Sequence, residues 1–311
     1  MTSPYDIEEI FPGDGAGSLL PRRQTGNSPQ GLAVTLLADY TLRDRGALPS
    51  AAIVELLGEA GVSPAGARTA ISRLARRGVV ESLREGRRSS YRLTVAAAAN
   101  LAAGGSAIVS AAGAEPWDER WTLVAFSLPQ EEGTLRRGLT TQLRWMGYAP
   151  LYDGLWISPH DLTAKARSRL AELSLGTLTV FRARHVEIGA AVRRNPLDAW
   201  DTAEIARQYE AFIERWKSLP ERIAGPAAVR ARTEVMDTYR RLPILDPQLP
   251  AQLLPPGWLR EPARRLFVTV YDGLADAAEN HVRAVAGVDT PGIRAHTVAD
   301  LAAGLGISAA A

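Results

Sequence analysis

Cysteine is absent from the 311 residues of the sequence. This absence excludes a disulfide framework, a thiol nucleophile and a cysteine-based metal site. Histidine is scarce, with four residues in the chain, and no two of them have the i, i+4 spacing of a zinc-binding helix. We therefore predict no metal, no cofactor and no catalytic residue, and we expect each histidine to have a structural role.

Long apolar runs are missing as well. No segment approaches the ~20 consecutive apolar residues that a membrane-spanning helix needs. Residues 1–30 are rich in proline, glycine, serine and asparagine, do not resemble a secretory signal, and are expected to form a flexible N-terminal segment. We expect a cytoplasmic protein without membrane attachment, and its length leaves room for two or three domains.

The stretch from Ser63 to Gly78 predicts a helix with well-marked ends. Ser63 is suited to cap the free amides of the first turn, and Pro64 fits the first helical position because it has no amide to leave unpaired. Gly78 is placed for a left-handed C-terminal cap. The spacing of the apolar residues gives the helix one buried face, made of Ala67, Ile71 and Leu74.

Two further helices and a hairpin surround this helix in the sequence. Apolar residues at helical spacing predict helices over residues 31–42 and 50–60. Downstream, alternating apolar residues flank a Glu85-Gly86-Arg87 turn and predict a β-hairpin with a basic tip. Because a helix-turn-helix followed by a hairpin is the layout of a winged helix-turn-helix, we predict such a domain over residues 31–94.

Positive charge is concentrated in this predicted domain. Between Ser63 and Arg92 there are eight arginines and two glutamates, whereas the formal net charge of the whole chain is +2. Such a local excess is typical of a nucleic-acid interface. The residues predicted to read base edges are Thr69, Ser72, Arg73 and Arg76. The residues predicted to bind phosphates or to enter the minor groove are Arg68, Arg77, Arg87 and Arg88.

Two other interpretations of the arginines remain open. The first is a small helical domain whose surface arginines only keep it in solution. The second is a scaffold that uses the winged helix for protein contacts rather than for DNA.

The residues from 115 to 190 change in character and predict a second domain. After a linker over residues 95–114, the pattern reads as strand 121–128, helix 131–146, strands 148–151 and 154–158, helix 162–173 and strand 178–186. The order β-α-β-β-α-β is that of a ferredoxin-like domain. From 195 to 290 the chain is mainly helical, including one long helix over 261–286, and residues 291–311 form a tail. The overall prediction is therefore a multidomain α+β protein.

Three sequence blocks resemble a known family. They are Trp117-Asp118-Glu119-Arg120-Trp121, the run Gly147–Pro159 with Leu155-Trp156-Ile157-Ser158-Pro159 at its end, and the proline-rich stretch Leu245–Trp258. Together with the predicted winged helix, they resemble the PaaX-type repressors, which regulate phenylacetate degradation in bacteria. The resemblance extends from about residue 31 to about residue 290.

The resemblance implies a function and partners. It implies a homodimeric transcriptional repressor that binds operator DNA through its winged helix. It also implies a middle domain similar to the ferredoxin-like nuclease of CRISPR adaptation, and release from DNA by an acyl-coenzyme A such as phenylacetyl-coenzyme A. A free aromatic acid as effector, or the loss of ligand control, remains open.

A second function class is a metal-dependent enzyme that processes nucleic acid with the ferredoxin-like domain. Nucleases of this type hold a metal with an aspartate at the end of the first strand. Here Ser127 stands at that end, and the adjacent Glu131 and Glu132 are typical of a helix start, where acidic side chains complement the helix dipole. The sequence therefore favours a protein that is not an enzyme.

An effector site is the remaining candidate. A coenzyme A thioester requires cations for its phosphates and an apolar slot for its acyl group. In the middle domain the candidates for these roles are Arg136, Arg137, Arg144, Trp145 and Trp156. The alternative is that the tryptophans belong to the core and the arginines to the surface.

Overall fold

The computed structural model describes residues 28–86, 88–109, 117–128, 133–161, 167, 170–171, 178–186, 195–220 and 222–306. Helices and two small antiparallel sheets make up the described part of the chain, which confirms the predicted α+β class. The chain forms two compact units. Unit 1 combines the described residues up to 111 with residues 209–244 and those from 259 onward; unit 2 combines residues 112–208 and 245–258.

The N-terminal part of unit 1 is a three-helix bundle with a small sheet. Its elements are α1 (Pro29–Thr41), β1 (Leu48–Pro49), α2 (Ser50–Glu59), α3 (Pro64–Arg76), β2 (Val80–Glu85), β3 (Arg88–Leu93) and α4 (Val95–Val109). The strands are all antiparallel and lie in the order β1-β3-β2. The helix α4 occupies most of the stretch that the sequence predicts as a linker.

Local sequence explains the start of α1 and its packing. The Ser28 hydroxyl accepts a hydrogen bond from the Gly31 amide at 3.0 Å, and Pro29 occupies the first turn. The apolar side chains of α1 then form the centre of the bundle, where Leu37 is 2% exposed and Tyr40 is fully buried. The α1 helix packs against α3, and α2 packs against α3 as well.

The C-terminal part of unit 1 is helical. Its helices are α6 (Thr202–Trp216), α7 (Pro226–Tyr239), α8 (Leu242–Leu245), α9 (Arg260–Gly273), α10 (Ala275–Ala286) and α11 (Val298–Ala302). The boundaries between the units fall within two of them, so that α6 belongs to unit 1 only from Tyr209 on and α8 only up to Ile244. The prediction of one long helix over 261–286 is wrong, because two helices meet there with a break at Leu274. Gly273 precedes the break, and glycine is a poor residue for a helix interior.

The two parts of unit 1 share one core. Helix α10 packs against α2 and α7, and α7 also contacts α1. The rings of Phe212, Tyr239, Phe267 and Tyr271 follow one another at centroid distances of 5.6, 3.9 and 5.3 Å. The segment predicted as a tail also belongs to unit 1, and its buried side chains include Ile293, Val298 and Leu301.

Unit 2 is built on a four-stranded antiparallel sheet. Its strands are β4 (Trp121–Phe126), β5 (Ala149–Tyr152), β6 (Leu155–Ser158) and β7 (Leu178–Ala183), and α5 (Gly133–Trp145) connects β4 to β5. The strand order is β5-β6-β4-β7. Most of the predicted helix 162–173 lies outside the described residues.

The two faces of this sheet are covered differently. On one face, Val124 and Phe126 pack with Leu139 and Leu143 of α5. On the other face, Trp121 packs with Ile157, and the partly buried Trp200 and Leu253 cover them, with Trp121 and Trp200 stacked at 6.1 Å. The proline-rich stretch 245–258 therefore contributes to the packing of unit 2.

Candidate nucleic-acid interface

Helix α3 has the ends and the buried face that the sequence predicts. The Ser63 hydroxyl accepts a hydrogen bond from the Gly66 amide at 3.1 Å, and Gly78 has φ +69°, the left-handed conformation expected after the helix. The side chains that pack toward α1 and α2 are Ala67, Ala70, Ile71 and Leu74. The opposite side of the helix is left to solvent.

The exposed side of α3 carries most of the predicted contact residues. Arg68, Thr69, Ser72, Arg73 and Arg76 are all exposed, and Arg77 is half-buried at the end of the helix. Within the described part of the chain, Arg68, Arg73 and Arg76 form no ion pair. This face therefore presents guanidinium groups and short polar side chains that are available to a ligand.

The hairpin β2–β3 follows α3 directly and is tied to its end. The Val79 amide donates to the Leu74 carbonyl at 3.0 Å, and the Thr94 hydroxyl donates to the Gly78 carbonyl at 2.8 Å. Gly86 turns the chain at φ +61°. These contacts fix the base of the hairpin to the C-terminal end of α3, because they hold the residues that lead into β2 and out of β3.

The tip of the hairpin is basic. Arg88 is exposed in the first position of β3, opposite Glu85, and Arg84 is exposed opposite Ser89. Arg84 is an additional candidate contact that the sequence analysis did not single out, although it lies in the same basic run. Arg87 lies outside the described residues.

The effector candidates of unit 2 have different surroundings. Arg136 donates to the Leu128 carbonyl at 2.8 Å and to Asp153 at 3.1 Å. The Arg144 guanidinium lies 5.4 Å from the ring centroid of Trp156, and that ring is buried in the core. Arg137 is exposed on α5, and the side chain of Trp145 lies outside the described part of the structure.

A buried polar cluster in unit 1 escaped the sequence analysis. Arg232 is fully buried, and its guanidinium donates to the Tyr271 carbonyl at 2.6 Å and to the His296 carbonyl. It also lies 3.7 Å from the centroid of the Tyr271 ring. The Tyr271 hydroxyl donates to Asp39 at 2.7 Å and lies 3.0 Å from His296 Nε2. One feature of the sequence points to this cluster: Arg232 lies at helical spacing among the apolar residues that form the buried face of α7.

Burial sets the charges in this cluster. Desolvation raises the pKa of Asp39 to about 6, although the Arg232 guanidinium opposes the shift. Desolvation and the same guanidinium lower the pKa of His296 to about 3. At neutral pH the cluster therefore holds an ionised Asp39, a neutral His296 and a charged Arg232, so that two opposite charges compensate each other in the core.

The described residues lack two other functional features. They contain no group of three or more histidine, aspartate or glutamate side chains placed to hold a metal ion. No helix among them is long and apolar enough to cross a membrane.

Three family models match consecutive parts of the chain. The first, a PaaX-like protein model, matches residues 28–97. The central Cas2-like domain of PaaX proteins matches residues 114–193, and the PaaX-like C-terminal domain matches residues 200–284. The chain is thus a multidomain protein with a Cas2-like middle domain, and it belongs to the PaaX family.

The chain is also similar to one curated protein and to one solved structure. The chain is 28% identical over 221 residues to the transcriptional repressor PaaX of Escherichia coli (strain K12), an alignment that covers 68% of this chain and 69% of that protein. A solved structure, the uncharacterized protein Rv0674 from Mycobacterium tuberculosis, superposes with a TM-score of 0.58 at 18% identity. It covers 83% of this chain and 99% of that chain, and this likeness concerns the fold alone.

Proposed function

We propose that this protein is a transcriptional repressor that binds operator DNA as a homodimer and is released by an acyl-coenzyme A. The observation that carries the proposal is the exposed arginine face of α3, with the basic hairpin fixed to the C-terminal end of the same helix. Membership of the PaaX family and the name of the Escherichia coli relative support the repressor role.

The arrangement of residues 31–94 supports a winged helix-turn-helix. Three helices are followed by a hairpin, and the short strand β1 adds a third strand to it through the pairs Leu48–Tyr91 and Pro49–Ser90. In such a domain the exposed face of α3 enters the major groove, and the hairpin is the wing. Thr69, Ser72, Arg73 and Arg76 would then read bases. The residues that would bind phosphates or enter the minor groove at the wing are Arg68, Arg77, Arg87 and Arg88.

The strand order of unit 2 supports a ferredoxin-like middle domain. In chain order its strands are β4, β5, β6 and β7, and the first strand lies between the third and the fourth in an antiparallel sheet. We assign no catalytic role to this domain. It is instead the part of the chain that carries the candidate effector residues.

Helix α5 carries the cations that could bind the phosphates of an acyl-coenzyme A effector. Arg137 and Arg144 are exposed cations on α5 and are the first positions to test for phosphate binding. Trp156 is buried, so an acyl group would reach it only after a rearrangement of the core. An effector lowers operator affinity to the extent that it binds the DNA-incompatible form more tightly.

Equilibrium binding to the intergenic DNA beside the protein's own gene tests the DNA-binding part. Fluorescence anisotropy over a range of salt concentrations gives both affinity and salt slope. Replacing Arg68 by alanine should reduce the slope by about 0.9, the value for one phosphate contact. Arg265→Ala, which removes an exposed arginine of α9, is the charge-matched control. Equal slopes for the two variants would contradict the assignment.

Adding phenylacetyl-coenzyme A to the same complex tests the effector. Loss of the specific complex would support the acyl-coenzyme A class, and free coenzyme A serves as the control. A complex that resists phenylacetyl-coenzyme A and other acyl thioesters would refute the effector part and leave DNA binding standing.

A further inference from the structure

The loop between α1 and β1, residues 42–47, is in direct backbone contact with the C-terminal segment 292–300. A Cβ atom added to Gly46 would lie 2.4 Å from the Gly292 carbonyl oxygen, and one added to Gly292 would lie 2.8 Å from the Gly46 Cα. Gly292 also has φ +71°, which a side chain would strain. At this point the two backbones touch with no room for a side chain between them.

Two further contacts fasten the same stretch to the C-terminal segment. The Arg294 amide donates to the Tyr40 carbonyl at 2.8 Å, just before the loop begins. The Arg43 guanidinium lies 3.4 Å from the Asp300 carboxylate. The segment 292–300 therefore holds this stretch at its start, its middle and its end.

The opposite side of the loop holds the base of the hairpin. The Arg45 guanidinium donates to the Leu93 carbonyl from Nε at 3.2 Å and from Nη2 at 3.1 Å, and its Nη2 also donates to Glu81 at 2.9 Å. Glu81 in turn accepts a bond from Arg92 Nε at 2.6 Å. Both strands of the hairpin are thus fixed by one side chain of the loop.

Arg45 makes these bonds from an unusual backbone conformation. Its φ is +48°, in the left-handed region that residues with a Cβ rarely adopt. Such a conformation persists where surrounding contacts hold it, and it is found at positions with a specific role. Here the conformation directs the guanidinium toward the hairpin, while the next residue, Gly46, stays against the C-terminal segment.

We propose that Arg45 is a positioning residue for DNA binding. It connects segment 292–300 to the base of the wing, so that the position of this segment sets the orientation of the wing. The inference rests on the proposed function, because the wing matters only if it contacts DNA. A six-residue strand is about 17–20 Å long, so a rotation of about 10° at its base moves the tip by about 3 Å. That distance is enough to break a hydrogen bond between Arg88 and a phosphate.

The test is a double-mutant cycle on operator affinity and salt slope, at a temperature where circular dichroism shows every variant folded. Arg88→Ala alone should weaken binding about tenfold, the scale of one charge-assisted hydrogen bond. Arg45→Ala should cost a similar factor and lower the salt slope by the same amount. If Arg45 acts through the wing, Arg88→Ala should cost almost nothing further in the Arg45→Ala background.

Two variants separate positioning from charge and from stability. Arg45→Lys keeps the charge but lacks the two-pronged guanidinium, so we expect it to recover only part of the affinity. Arg265→Ala removes one positive charge outside the loop and should change neither the operator affinity nor the salt slope. Gly292→Ala should weaken operator binding, and the loss should again be non-additive with Arg88→Ala.

Each result distinguishes the inference from the proposed function. If Arg68→Ala together with Arg76→Ala leaves operator affinity unchanged, DNA binding by α3 is refuted, and the inference falls with it. If those changes weaken binding while the losses from Arg45→Ala and Arg88→Ala simply add, the positioning role of Arg45 is overturned and DNA binding stands. An Arg88→Ala variant that binds like the wild type would overturn the inference in the same way.

Discussion

Replacing Arg232 by methionine should destabilise unit 1 more than any exposed arginine substitution. Methionine keeps much of the aliphatic stem, so the change mainly removes the guanidinium. The structure shows what is then left: the carbonyls of Tyr271 and His296 lose a donor, and Asp39 loses its buried counter-charge. A buried polar group that loses its partner costs about 1–3 kcal/mol, and a charged group costs more, so the two carbonyls and Asp39 together should lower the unfolding free energy by about 3–5 kcal/mol.

Urea unfolding followed by the helical circular dichroism signal measures this loss, with Arg265→Ala as the exposed control. The double variant Asp39→Asn with Arg232→Met should regain about 2 kcal/mol relative to Arg232→Met alone, since the unpaired buried charge is then gone. An Arg232→Met protein within about 1 kcal/mol of the wild type would refute the reasoning, because that is the scale of an ordinary exposed substitution.

Three further predictions concern pH, a helix cap and metal ions. The pKa of His296 is about 3 in the folded protein and near 6.5 in the unfolded chain, so His296 makes the protein less stable as the pH falls below 6.5. Asp39 has the opposite effect: its pKa is raised to about 6 by folding, so it makes the protein more stable as the pH falls from 6 to 4. His296→Gln should remove the destabilisation that His296 causes at low pH. The unfolding free energy of the variant minus that of the wild type should therefore rise by about 2 kcal/mol between pH 7 and pH 5. A difference that stays constant over this range would contradict the lowered pKa of His296. Ser63→Ala should lower the unfolding free energy by about 1 kcal/mol because the Gly66 amide loses its acceptor, whereas Ser63→Thr should melt near the wild type. Labelled oligonucleotides should remain intact with Mg²⁺ or Mn²⁺, since Ser127 supplies no carboxylate at the end of β4; cleavage that a chelator stops would argue for an enzyme.

Local patterns explain which elements of the fold could be predicted. The ends of α3 follow from Ser63, Pro64 and Gly78, residues that act on their own immediate backbone. The break at Leu274 was missed, because the apolar spacing continues through it. Strand β1 was missed for another reason: it has two residues, and it exists only through its pairing with β3.

The candidate residues divide in the same way. Exposure of the arginines on α3 follows from helical periodicity, so the sequence suffices to place them on the outer face. The partners of Arg232 lie at residues 39, 271 and 296, and no local pattern joins positions so far apart. The same holds for Arg45, whose role depends on the backbone at 292 and on the base of the hairpin.

Unit 1 is assembled from three separated stretches of the chain, with consequences for biosynthesis. Helices α1 to α3 leave the ribosome early, yet α2 packs on α10 and the core partner of Asp39 is Tyr271, which is synthesised more than two hundred residues later. A nascent chain therefore exposes apolar surface of its first domain until the last helices emerge. A stop codon at position 259, which removes the whole last stretch of unit 1, should accordingly yield a product that is degraded rather than a short form that still binds DNA.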